Sequence, residues 1–185
     1  MNVVFYLIFN FIFYSFIGWI LEEGYSFSTT KKFQEDGFLV GPFKPMYGMA
    51  VMFLIICNEL LEISGIPLIL LCFLIPTTVE YISGYILKHS FNKVYWDYSE
   101  FRYNIHGFVT LRFSIYWMVL SLIGLYYLQP SLYELYMENM KIINIFVVLG
   151  GSILLIDLYI TVHHFTIKLT DSVMRSNKIY YIFSS

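Results

Sequence analysis

The chain has 185 residues, of which 58% are hydrophobic, 21% aromatic and 13% charged, with a formal net charge of −2. Soluble domains carry about a quarter charged residues, so this composition excludes an ordinary soluble fold. Five long apolar runs account for the chain and leave no soluble domain over.

The expected fold is all-α: a polytopic membrane helix bundle with five transmembrane helices at about 2–28, 45–63, 66–90, 107–128 and 141–168. Residues 1–168 then form one transmembrane domain. Residues 169–185 form a tail that mixes Arg175 and Lys178 with Tyr180, Tyr181, Ile182 and Phe183, as a membrane-surface segment would. The first run lacks a basic flank and a small-residue cleavage site, so it reads as a retained span and not a removed signal. Gln129-Pro130-Ser131 opens an acidic connector before the fifth span.

Between the first two spans lies Gly37 to Gly48, with three of the eleven glycines and two of the five prolines. Pro42 and Pro45 lack N–H groups, and glycine admits backbone angles that other residues avoid. The stretch is therefore not a regular helix, yet it is mostly apolar. It is either an interfacial turn or a re-entrant piece lining a site, because non-helical backbone at membrane depth needs protein or a wet cavity around it. The second long loop, Phe91 to His106, contains Tyr95-Trp96-Asp97-Tyr98-Ser99, in which Asp97 or Ser99 suits the cap of a short surface helix.

Charge gives the orientation. Ten of the eleven Lys and Arg residues fall on the side of these two loops or at its edge, and only Lys141 falls on the other. By the positive-inside rule the N-terminus is outside, and the loops and C-terminus are cytoplasmic. A weak internal echo accompanies this. Ile17-Gly18-Trp19-Ile20-Leu21 resembles Ser83-Gly84-Tyr85-Ile86-Leu87, and each precedes a loop ending in Gly-Phe, at Gly37-Phe38 and Gly107-Phe108. The pattern fits a parallel helix-loop-helix repeat, 1–63 and 66–128, plus a fifth helix.

Intramembrane charges are costly and face a bundle interior or a wet cavity. Glu80 lies ~21 Å beyond Ile66, and Asp157 ~22 Å beyond Ile142. Arg112 lies ~8 Å in from Gly107, a similar level in a ~30 Å core. Arg112 is therefore expected to pair with Glu80 or Asp157. Glu22, Glu80, Arg112 and Asp157 make a candidate polar path, while Glu23 is expected to snorkel to the interface. Ser15, Gly18 and Glu22 share one helix face; so do Thr77, Glu80 and Gly84, and so do Asp157, Thr161, His164 and Lys168. A candidate loop site comprises Gly41, Pro42, Pro45, Tyr47, Trp96, Asp97, Asn104 and His106. No nucleotide loop, HExxH or GxSxG motif is present, and neither Cys57 with Cys72 nor His163 with His164 has metal-ligand spacing. No catalytic residue, metal or cofactor is assigned to this chain.

Three motifs in order resemble a known family. They are Tyr14-Ser15-Phe16-Ile17-Gly18-Trp19 with Glu22; Gly37-Phe38-Leu39-Val40-Gly41-Pro42 with Pro45-Met46-Tyr47-Gly48; and Trp96-Asp97-Tyr98-Ser99 with Asn104-Ile105-His106-Gly107, Leu111, Ser114 and Trp117. The family is the Putative ABC-transporter type IV, or CmpB-like, group of small five-helix bacterial membrane proteins. The motifs cover about residues 5–125. Asp36 and Met118 depart from the family pattern, where a basic residue and Gly are common. The resemblance implies a permease-like subunit of the bacterial cytoplasmic membrane. ATP would then enter only through a separate ATPase, and a homo-oligomer or second membrane subunit is expected; no nucleic-acid partner is. The alternatives are an intramembrane enzyme using a cytoplasmic-side cavity, in which Asp97, His106, Glu22 and Glu80 would converge, and a structural or sensory membrane protein.

Overall fold

The computed structural model describes residues 2–33 and 37–183, with side chains except at 169 and 171–183. Asp36 and the side chains of Arg175 and Lys178 lie outside the described residues. The elements are α1 (Val3–Thr30), α2 (Pro45–Ile55), α3 (Gly65–Phe91), a hairpin of β1 (Asn104–Ile105) and β2 (Val109–Thr110), α4 (Leu111–Ile123), α5 (Gln129–Glu138) and α6 (Met140–Phe183). Wide, π-type turns extend α2 over Ile56–Leu60 and join α4 to α5 over Gly124–Leu128.

Local chemistry sets the helix ends. The Asn2 side chain caps α1 by accepting from the Val4 N–H at 3.0 Å. α1 stops at Lys31 and α3 at Asn92, each in the left-handed region (φ 59° and 51°). Pro45 occupies the first turn of α2, where its missing N–H costs nothing.

Four helices are long and apolar enough to cross a membrane: Val3–Thr30, Gly65–Phe91, Leu111–Glu138 and Met140–Lys168. The second expected span is shorter than 45–63. Its helix ends at Leu60, a rise of ~24 Å against a ~30 Å core, because the π turn lets Leu61 N–H donate back to Ile56 O and closes the helix. The fourth differs at both ends. Residues 107–110 are turn and strand, so the helix starts at Leu111, and it runs on through the expected connector to Glu138. Pro130 falls in the first turn of α5, where it does not interrupt.

α1 packs on α2, α2 on α3, α3 on α4, and α1 on α6. Tyr6 meets Glu59, and Gly18 meets Tyr47, so α1 and α2 are antiparallel. Both long loops therefore gather at one end of the bundle, hereafter the loop end. The aromatic and aliphatic core around Tyr6, Tyr14, Leu54, Leu68 and Tyr136 lies toward the other.

The contact of α1 with α2 depends on glycine. A Cβ on Gly18 would fall on the Tyr47 ring, and one on Gly48 would fall on the Phe11 carbonyl and Ser15 Oγ. Close approach of this kind is how membrane helices associate without a hydrophobic driving force.

Candidate functional site

The loop end is built from α1, α2, α3, α4, α6 and both loops. Glu22, one turn beyond Gly18, receives two donors: Lys44 Nζ at 2.6 Å and Tyr47 OH at 2.6 Å. Lys44 N–H in turn donates to Ser15 O at 2.9 Å. The loop 37–44 is thus tied to α1 through main chain and charge together. Glu23 does not snorkel; it is buried against a cleft of about 300 Å³ walled by Trp19, Leu39, Pro42, Phe43 and Lys44.

Asp157 holds the same loop from the other side. Its two carboxylate oxygens accept the N–H groups of Val40 (3.0 Å) and Gly41 (2.8 Å). A Cβ on Gly41 would sit 3.0 Å from Asp157 Oδ2, so the glycine allows the approach. Phe38 stacks on Phe165 of α6 at 5.9 Å and meets Phe91 of α3 at 5.0 Å. Hydrogen bonds to a charged group contribute about 1.5–3 kcal/mol each. Asp157→Ala should therefore release residues 37–44, and Asp157→Asn should do so less, since one amide oxygen still accepts. Amide hydrogen exchange at Val40 and Gly41 reads this directly; unchanged protection in Asp157→Ala would refute the clasp.

The second loop is a self-satisfied hairpin. Asp97 Oδ1 accepts from Ser99 N–H (2.9 Å), Asn104 Nδ2 donates to the carbonyls of Ser99 and Phe101, and Asn104 Oδ1 accepts from Gly107 N–H. Gly107 is at φ +75°, and a Cβ there would lie 2.7 Å from Asp97 Oδ1, which explains the glycine. Trp96 Nε1 donates to Phe108 O at 2.8 Å, and His106 Nδ1 pairs with Tyr81 OH at 2.9 Å. Asp97 therefore caps a turn and not a surface helix. The two loops touch where Tyr95 OH donates to Gly37 O at 3.2 Å.

The Ser99 N–H beside Asp97 holds its carboxyl below the usual carboxylate range. A depressed acid adds stability above its unfolded pKa and loses it as pH falls through the folded one. The hairpin should hold at neutral pH and loosen as pH falls through the Asp97 pKa, whereas in Asp97→Ala it should be loosened at neutral pH too and that acid transition should be gone. Exchange at Ser99 N–H against pH checks this.

Glu80 is 3% exposed, inside the bundle. Its Oε1 accepts from Tyr98 OH at 3.1 Å, so the hairpin closes over it. Burial, with the carboxylate beside it, pushes the Tyr98 hydroxyl well above its ordinary pKa and keeps it a donor. Tyr98 is held by stacking on Phe113 at 4.8 Å. Trp117 faces Tyr47 at 5.1 Å between ring centres, which joins the Glu80 group to the Glu22 group.

Arg112 does not pair with Glu80 or Asp157. It is exposed, with Nε donating to Tyr116 OH at 3.1 Å and its guanidinium near the Phe101 ring. A depth of ~8 Å for Arg112 holds only where the span starts at Gly107. The hairpin occupies 107–110, which leaves Arg112 in the first turn of α4, at the end of the bundle.

Of the expected path, Glu22 and Glu80 therefore share one interior region, Asp157 faces the loop, and Arg112 lies outside. Of the expected loop site, Gly41, Pro42, Pro45 and Tyr47 gather against α1 and α6. Trp96, Asp97, Asn104 and His106 serve the hairpin and its seating.

A second polar knot, not foreseen from sequence, lies at the opposite end. Gln129, 2% exposed, donates to Tyr6 OH (2.8 Å) and Asn10 Oδ1 (3.0 Å) and accepts from Tyr14 OH (2.9 Å). Tyr6 OH donates on to Glu59 at 2.9 Å. Glu59 sits in one π turn and Gln129 follows the other, so both turns aim polar groups into one knot. The 6, 10, 14 spacing on α1 was a readable signal.

The fold and its buried polar clusters define a multi-pass helical membrane protein. Residues 9–162 match the family model of the Putative ABC-transporter type IV, and the chain belongs to that family. No curated protein and no solved structure matches the chain.

Proposed function

We propose that the chain is a permease-like membrane subunit of a transport system, in the bacterial cytoplasmic membrane. The observation that carries this is the pair of acids, Glu22 and Glu80, held at the loop end by Lys44, Tyr47 and Tyr98. Acids inside a membrane bundle mark substrate or ion pathways more often than scaffolding. The loop 37–44, clasped by Asp157, would close the mouth of that path.

The loop end is cytoplasmic in this reading and the N-terminus outside, on the Lys and Arg asymmetry. The helix-loop-helix repeat is part of this reading, with Gly18 against Tyr47 and Gly84 against Phe108. Energy would come from a separate ATPase docking on the loops. Arg102 and Arg112, on the rim of a cleft of about 320 Å³ with Phe101 and Tyr103, offer it a cationic surface. A homo-oligomer or second membrane subunit would complete the path.

Purification from native membranes in mild detergent, followed by mass spectrometry, tests this. A stoichiometric ATPase, lost in the Arg102→Glu, Arg112→Glu double variant, is the expected result. The chain coming down alone would overturn the subunit reading.

A further inference from the structure

We propose that Glu80 is a proton-binding site at the loop end of this subunit; the inference rests on the transport reading above. The geometry of one oxygen starts the argument. Glu80 Oε2 is buried and makes no hydrogen bond of normal geometry; the donor beside it is the Trp117 indole N–H, itself buried and neutral. The other oxygen has a single neutral donor, Tyr98 OH. An ionised carboxylate so placed is a buried charge without a counter-charge, which is strongly unfavourable in a membrane interior.

The surroundings supply no counter-charge. Among the described residues, no Lys, Arg or His is bonded to Glu80. Lys44 is engaged with Glu22 at 2.6 Å. Arg112 of α4 turns outward to Tyr116, and Asp157 of α6 turns to the loop backbone. The ionisable groups that act on the Glu80 cluster are Glu22 and Tyr25 from α1, Tyr47 from α2 and Tyr98 from the hairpin. The only charged one is an acid, which opposes ionisation of a second acid.

A proton is the ion such a site can take. Calcium and comparable hard cations need about six or more oxygen ligands, and among the described residues there is no metal-holding cluster of His, Cys, Asp and Glu. A proton needs one lone pair, and Oε2 has one that no hydrogen bond of normal geometry occupies. Binding forms the Oε2–H bond at the expense of a hydronium O–H bond and leaves a neutral acid. Release returns the proton to water and the charge to Glu80. Tyr98, half-buried at the hairpin, is the side chain that stands between Glu80 and the loop surface.

Trp117 provides the reporter. The full-length chain would be labelled with 5-fluorotryptophan in lipid nanodiscs, and its three tryptophan resonances followed by fluorine NMR against pH. The Trp117 peak is assigned by its loss in Trp117→Phe. It should move in one titration, stay fixed in Glu80→Gln and still move in Glu22→Gln. Tyr98→Phe, which removes one of the two neutral donors that favour the charged form and leaves the Trp117 indole, should shift the midpoint upward. A Trp117 peak that does not move in the unaltered protein overturns the proposal without need of any variant. A titration that survives Glu80→Gln also overturns it. If the peak titrates as expected but no ATPase co-purifies, the proton site stands and the ATPase-coupled reading fails; if it is flat and the ATPase is found, the reverse holds.

Discussion

Replacing Gly48 by alanine is expected to destabilise the protein by about 1–3 kcal/mol, the usual cost of overpacking, and to disturb the loop end with it. The new Cβ would fall on the Phe11 carbonyl and Ser15 Oγ, with Phe11 Cδ2 at 3.0 Å. Neither polar atom can yield cheaply. Ser15 Oγ donates to Phe11 O at 2.6 Å, and Ser15 O accepts from Lys44 N–H, so moving either breaks a bond. The alternative is to separate α1 from α2, which pulls Tyr47 away from Glu22. Gly24→Ala and Gly151→Ala are the controls, because a Cβ meets nothing within 4 Å at either. Both should be neutral or gain up to about 1 kcal/mol from helix propensity. Thermal unfolding in detergent separates the two classes. Equal melting temperatures for Gly48→Ala and the controls would show that the α1 and α2 contact is looser than described.

The membrane class was legible because apolar runs of spanning length have few other uses. Burial of Glu80 was legible because its distance from the start of α3 needs only the helix rise. The same arithmetic misplaced Arg112, since it took Gly107 as a helix start. Nothing in the spacing of Asn104, His106 and Gly107 distinguishes a hairpin from a helical entry; the left-handed backbone of His106 and Gly107 (φ 54° and 75°) does. The clasp of Asp157 on Val40 and Gly41 was out of reach for another reason. It joins a side chain to main-chain N–H groups 116 and 117 residues away, and main-chain donors carry no residue identity to search for. Gln129 was hidden by Pro130, which marks a turn in most contexts but a first helical turn here. Its Gln, read as the opening of a connector, bonds three side chains of the far knot, Tyr6, Asn10 and Tyr14.

Gln129→Leu should accordingly cost roughly 2–4 kcal/mol. Three bonds are lost, each worth about 0.6 and up to 1.7 kcal/mol inside membrane bundles, and the groups left behind stay buried. Asn10 is fully buried, so its Oδ1 loses its donor with no water to replace it. Tyr14 OH loses its acceptor in the same step. Leucine is close in size to glutamine and apolar, so the penalty reports the lost polar partners and not a cavity. Tyr14→Phe alone removes one bond and should cost about 0.5–1.5 kcal/mol. The decisive quantity is the coupling. If Tyr14 acts through Gln129, Tyr14→Phe should cost almost nothing in a Gln129→Leu background, because the acceptor is already gone. Additive effects in that double-mutant cycle would show that the two side chains are not bonded in the membrane. A strong coupling would establish that the knot ties α1 to the junction of α4 and α5, opposite the end where the acids lie.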